Sequence, residues 1–210
     1  MKKLKKSGRP RKHAKEVRRR RIVAAKNQQD YTSCTSQTDR VRITAAKFAV
    51  SSCGVSSNIF DIGIGYALLS RRLSPDRIAV STFMVDVYCL GVKNAFYREL
   101  SHDQFYDLVH GLNTSSGLVD VEPEYACKLV SEAVDYAENF GFAPHEDYSV
   151  AAALFGDIDA TLCTDEFVFG KDGKPFYIAG PRDTPAKIRT IMKKLTDNLG
   201  EENFEFILAA

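Results

Sequence analysis

No stretch limits the fold of this chain more than residues 78–88, IAVSTFMVDVY. Ala79, Phe83, Val85 and Val87 alternate there with Ile78, Val80, Met84 and Tyr88. A strand places alternate residues on opposite faces. Both sets are apolar, so this strand must be central and covered on both sides. Residues 65–73 form a second run rich in apolar and β-prone side chains, and Ser74-Pro75-Asp76-Arg77 supplies the turn between them. The pair reads as a β-hairpin.

One carboxylate interrupts the central strand: Asp86, on the face of Met84 and Tyr88. Two explanations fit it. In a low dielectric a strand-end carboxylate is a good metal ligand or general base. Alternatively it accepts backbone N–H groups from the following Cys89-Leu90-Gly91 turn or pairs with Lys93, which satisfies a buried charge without chemistry. The second reading is preferred, and it predicts a pKa below the ordinary value of about 3.9, since such donors favour the ionised form. A general base would show the opposite shift.

The remaining segments point to an α+β protein: a central hairpin or small mixed sheet packed by several helices, with no internal repeat. Ser101 and Gln104 make a capping box for a helix over 102–112. Pro123 opens a helix to about residue 140, where Gly141 stops it, with core positions at Leu129, Val130, Ala133 and Ala137. A shorter helix is expected over 146–155. Residues 165–180 read as two strands joined by a Lys171-Asp172-Gly173 turn. Thr184-Pro185 caps a last helix ending at Gly200, and 204–208 is an edge strand. Residues 41–50 fit strand or helix equally.

Length and composition, 210 residues with 44% apolar and 27% charged, suit one main globular domain. Its net charge of +2 conceals a partition. Residues 1–30 carry thirteen cations against Glu16 and Asp30, a net +11, while the other 180 residues carry 16 basic against 25 acidic, a net −9. The cations are Lys2, Lys3, Lys5, Lys6, Arg9, Arg11, Lys12, Lys15, Arg18, Arg19, Arg20, Arg21 and Lys26. A basic arm with a Ser/Thr-rich linker, 1–39, thus precedes a single domain, 40–210. Residues 1–12 are too polar to fold alone, and 13–29 allow a helix that needs a partner. Such an arm can track a phosphate backbone, which makes RNA or DNA the expected partner and the thirteen cations its expected contacts. Gly8-Arg9-Pro10-Arg11 also suits a minor groove. No run of about 18 apolar residues spans a bilayer and no secretory leader is evident, so no membrane partner and a cytoplasmic location are expected. The five cysteines include no C-x-x-C pair and read as reduced thiols.

Chemistry-bearing motifs are sparse. Asp86, Lys93 and His145 are the candidate catalytic residues. His145 lies in GFAPHED, a turn that can present a metal ligand but more commonly starts a helix. Asp157-Ile158-Asp159 lacks the Gly and the bidentate Glu of a calcium loop. Residues 170–175, GKDGKP, lack the P-loop pattern. No metal site and no cofactor are implied. Three motifs, VDVYCLGVK at 85–93, GFAPHEDY at 141–148 and FGKDGKP at 169–175, resemble a family of uncharacterised bacterial proteins bearing V-D-x-x-C-L-G-[VI]-K-D, G-F-x-P-H-x-D-[FY] and F-G-x-D-G-K-P. The resemblance covers about residues 50–208 and implies a bacterial cytosolic domain with Asp86, Cys89, Gly91, Lys93, His145 and Asp147 at the marked positions. Asn94 stands where that family has Asp, which removes a second carboxylate beside Asp86. The sequence names no reaction. Its leading reading is a nucleic-acid-associated accessory protein. The alternatives are a metal-dependent hydrolase or nuclease using Asp86 with Asp157 or His145, and a protein-interaction module whose acidic surface meets a basic partner.

Overall fold

The computed structural model of the protein describes residues 44–208. The basic arm and the thirteen cations expected to contact nucleic acid lie outside the described residues. So do the possible helix at 13–29 and the start of the 41–50 segment.

The hairpin forms where its pattern requires. β2 (Ile64–Ser74) and β3 (Arg77–Asp86) pair antiparallel around the Pro75-Asp76 turn, with Leu68 opposite Thr82 and Ile64 opposite Asp86. Two further strands flank it: β1 (Val50–Ser56) pairs with β2, and β4 (Gly91–Leu100) pairs with β3. With β5 (Leu118–Asp120) on β1, the antiparallel order is β4-β3-β2-β1-β5. The fold is α+β.

Both faces of β3 are covered, as its two apolar sets demand. Ala79, Phe83, Val85 and Val87 pack against Ala126, Leu129, Val130 and Ala133 of the long helix Pro123–Glu138 and against Ala151, Leu154 and Phe155. Phe83 stacks on Phe155 at 5.5 Å between ring centroids. Burying a side chain of this size contributes about 1.5–3 kcal/mol. The helix His102–Ser116, which has the Ser101–Gln104 capping box, packs on β2, β3 and β4 through the half-buried stripe Phe105, Leu108, Val109 and Leu112. The helices are called, in chain order, α1 (Ile59–Ile62), α2 (His102–Ser116), α3 (Pro123–Glu138), α4 (Tyr148–Ala152) and α5 (Pro185–Leu199). A second core joins Cys89 and Leu90 to Ala137, Phe142, Tyr177, Ile191, Leu195 and Phe204 beneath α5. No helix among the described residues is long and apolar enough to cross a membrane.

Several local expectations need correction. Residues 164–169 are not a strand, and the Lys171-Asp172-Gly173 turn closes a single bridge, Lys171 to Lys174. Instead Phe167 and Phe169 turn inward onto Phe60, Tyr125 and Tyr136. Gly170 N–H donates to Val87 O at 2.9 Å rather than to a neighbouring ladder. β6 (Phe176–Ile178) pairs parallel with β7 (Glu205–Ile207), the edge strand near the C-terminus. The helix expected over 146–155 is shorter, and the one starting at 102 runs one turn further than its apolar residues suggested. β1, β4 and β5 carry no clean alternation and escape a pattern reading. In β4 the reason is a bulge: Met84 pairs with Asn94 but the next residue, Val85, pairs with Val92, so the ladder skips Lys93.

The Asp86–Lys93 pocket

The skipped residue is half of the candidate site. A β-bulge inserts one unpaired residue and re-aims its side chain, and here it brings the Lys93 Nζ to 3.8 Å from Asp86 Oδ2. Asp86 ends β3 opposite Gly91, which begins β4. Helix α3 can pack so closely on the start of β4 only because Gly91, at φ +63°, has no Cβ; one would stand 2.6 Å from the Ala133 carbonyl oxygen. Gly63, at φ +87°, likewise leaves the space that the Tyr88 ring fills.

Asp86 is 6% exposed. Its Oδ1 accepts from the backbone N–H of Tyr88 at 3.1 Å and of Cys89 at 2.9 Å, the turn contact expected from the sequence. The expected pKa direction is wrong, however. Burial pushes the Asp86 carboxyl above its ordinary value, and Lys93 and the backbone N–H groups of Cys89, Leu90 and Tyr88 offset only part of that. Desolvation acts on the whole charge, whereas the bulged ammonium at 3.8 Å is beyond hydrogen-bond distance. Cys89, next in the turn, has its thiol pushed up by burial and then by the Asp86 charge, so it is an inert core residue and no nucleophile.

Asp86 and Lys93 line a cavity of ≈ 250 Å³ whose other walls are Ile62, Gly63 and Ile64, Tyr88 and Phe176, and the segment Ile178 to Pro181. That last wall is held by Asp183. Its Oδ2 accepts from Gly180 N–H at 2.9 Å and from the Tyr177 hydroxyl at 3.0 Å, and its Oδ1 meets Lys187 Nζ at 2.7 Å. Burial raises the Asp183 pKa, but Lys187, Gly180, Tyr177 and Lys93 together outweigh it and the net shift is downward. Lys93 itself is 16% exposed and makes no hydrogen bond among the described residues. The pocket therefore holds a carboxylate and an ammonium in apolar surroundings, with donors left over on the ammonium.

The other sequence candidates are not gathered here. His145 packs beside β4 through its backbone, donating N–H to Val92 O at 3.0 Å. Its Nδ1 accepts from Asp147 N–H at 3.2 Å, which shapes the turn into α4. Asp157 lies at the far end of the sheet, where its charge acts on Arg71. Arg71 pairs with Ala79, and from Ala79 to Asp86 the strand runs about 23 Å at about 3.3 Å per residue. Asp86 and Asp157 are not brought together. No group of three His, Cys, Asp or Glu side chains among the described residues could hold a metal ion. A larger concavity of ≈ 670 Å³ shares Tyr88 with the pocket and is walled by Phe60, Tyr125 and Phe167. Its carboxylates, Asp61, Asp165, Glu166 and Asp172, all stand exposed at the rim, so it is the weaker site despite its size.

Sequence reasoning found Asp86 and Lys93 but missed the isoleucines and the Gly180-Pro181 wall. The Gly-Pro doublet signals a turn, yet nothing local says which cavity that turn closes. Arg71 was missed entirely as a buried charge.

No protein-family description matches the chain, and neither a curated protein nor a solved structure proved similar to it.

Proposed function

We propose that this protein is a nucleic-acid-associated accessory protein that binds the phosphate backbone of RNA or DNA through residues 1–30. The observation that carries the reading is the charge partition, +11 on the first 30 residues and −9 on the rest. Cations concentrated in one segment release counterions together when they meet a polyanion, which makes affinity steeply salt-dependent with little base readout. An acidic remainder keeps the body from adding nonspecific contacts of its own. A metal-dependent hydrolase is the less favoured reading, because Asp157 lies far from Asp86 and His145 serves a turn. The same reading places the protein in the cytoplasm, in keeping with the free thiols of Cys53, Cys89, Cys127 and Cys163.

Fluorescence anisotropy tests it with mixed-sequence RNA and DNA, comparing the full chain with a full-length variant in which Arg18, Arg19, Arg20 and Arg21 are changed to Gln. Log affinity should fall with log salt, and the slope should flatten by about 0.9 for each duplex contact removed. Equal binding by the two proteins, or affinity indifferent to salt, overturns the proposal.

A further inference from the structure

We infer that the Asp86–Lys93 pocket binds one unpaired nucleobase, with a ring N–H or amino donor on Asp86 and the neighbouring ring acceptor on Lys93. The choice of a nucleobase among neutral ligands rests on the nucleic-acid reading above; the choice of a neutral ligand does not.

The charges decide the class. An anionic ligand would meet Lys93 but also Asp86, with the Asp183 carboxylate close enough for its charge to be felt by Lys93. A cationic ligand would meet the ammonium. A zwitterion matches both charges, but its two ions would have to leave water for walls made of Ile62, Ile64, Tyr88, Phe176 and Ile178. Desolvating two ions costs several kcal/mol each, more than desolvating neutral polar groups that find partners. A neutral ligand offering a donor beside an acceptor avoids that cost and uses what the site leaves unused. Among the described residues Lys93 has free donors and needs an acceptor. Asp86 Oδ1 is occupied by the Tyr88 and Cys89 N–H groups, while Oδ2 accepts no hydrogen bond of normal geometry among the described residues and stands 3.8 Å from Lys93 Nζ.

The geometry fits this class. Oδ2 and Nζ stand 3.8 Å apart on the same wall, the spacing at which two nearly parallel hydrogen bonds of about 2.9 Å reach adjacent positions of one ring edge. The bulge at Lys93 creates this arrangement, since regular pairing would give Lys93 a cross-strand partner. A volume of ≈ 250 Å³ lies just under the roughly 300 Å³ at which drug-sized sites begin, which suits a single base and not a longer ligand. Apolar and aromatic walls with one convergent polar pair are the usual make-up of such a site. In function the arm would hold the backbone while the pocket takes a base that is already unstacked.

Isothermal titration calorimetry of the full chain tests this in high salt, which suppresses backbone binding. The probes are guanosine, uridine, adenosine and cytidine, with ribose 5-phosphate and toluene as controls lacking the base or the polar edge. At least one nucleoside should bind at one site per chain, and Lys93→Met and Asp86→Asn should each weaken it by at least about tenfold. Asp86→Asn keeps an oxygen for the turn and should keep the wild-type melting temperature to within a few degrees, whereas Lys93→Met leaves the buried Asp86 without its cation and lowers it, so each affinity is measured well below the variant's own melting transition. Absence of binding by all four nucleosides overturns the proposal, as does equal binding of either control or unchanged affinity in Lys93→Met. If nucleosides fail while salt-sensitive polymer binding persists, the pocket assignment alone falls. If nucleosides bind and polymers do not, the arm reading falls and the pocket stands.

Discussion

Arg71 and Asp86 are both buried charges on one hairpin, at opposite ends of it, and they are treated in opposite ways. Arg71, 4% exposed, donates Nε to Leu154 O at 2.9 Å, Nη2 to Phe155 O at 2.7 Å and Nη1 to Phe48 O. Its fork ties the segment before β1 to the end of α4, and Arg71 lines neither of the cavities described above. Asp86 accepts two turn N–H groups but faces its cation at a distance, in the wall of a pocket. A buried charge whose hydrogen bonds are all made serves the fold. One whose partner keeps free donors beside open space is available for a ligand.

The largest expected effect is at the satisfied end. Arg71→Met leaves the Leu154 and Phe48 carbonyls without a donor, at about 1–3 kcal/mol each, while Phe155 O keeps the Ile158 N–H, so urea unfolding should show a loss of at least about 2 kcal/mol. A loss under about 1 kcal/mol would erase the contrast. Asp86→Ala should cost less, about 1–3 kcal/mol, because only the turn donors are orphaned. Asp86→Asn should cost less again.

The pH dependence sharpens the contrast further. Asp86 has a folded pKa raised above its unfolded value of about 3.9, so the folded state holds the proton more tightly and stability declines as pH rises from there through the folded pKa. Asp183 has a lowered folded pKa, so its contribution is present above the unfolded value and is lost as pH falls through the folded one. Chemical denaturation across this range should show the upper decline vanish in Asp86→Asn while the acid-side loss remains. Carboxyl-carbon NMR should find Asp86 titrating above the ordinary carboxylate range; a value below about 3.9 would restore the plain turn-cap reading. The smallest effect belongs to Thr82, midway along β3. Its buried hydroxyl has no partner among the described residues and lines none of the cavities described, so Thr82→Val should gain about 1 kcal/mol in thermal or urea melts.

What the sequence determined by itself is local. The two-faced apolar pattern of 78–88 makes a central strand wherever it is placed, and Pro75-Asp76 turns the chain back within two residues. Ser101 with Gln104, and Thr184 before Pro185, start helices through bonds that reach only three residues ahead. The Asp86 contact with its own turn belongs to the same class. Tertiary structure decided everything that sums over distant neighbours. Phe167 and Phe169 alternate like a strand but found more burial in an aromatic cluster than in a ladder. β4 hid its periodicity in a bulge whose use appears only when Asp86 lies across from it. The direction of the Asp86 shift was misread for the same reason: its donors sit within four residues, but the desolvation that outweighs them comes from the whole surrounding fold, including Phe176 to Pro181, which no local pattern places beside it.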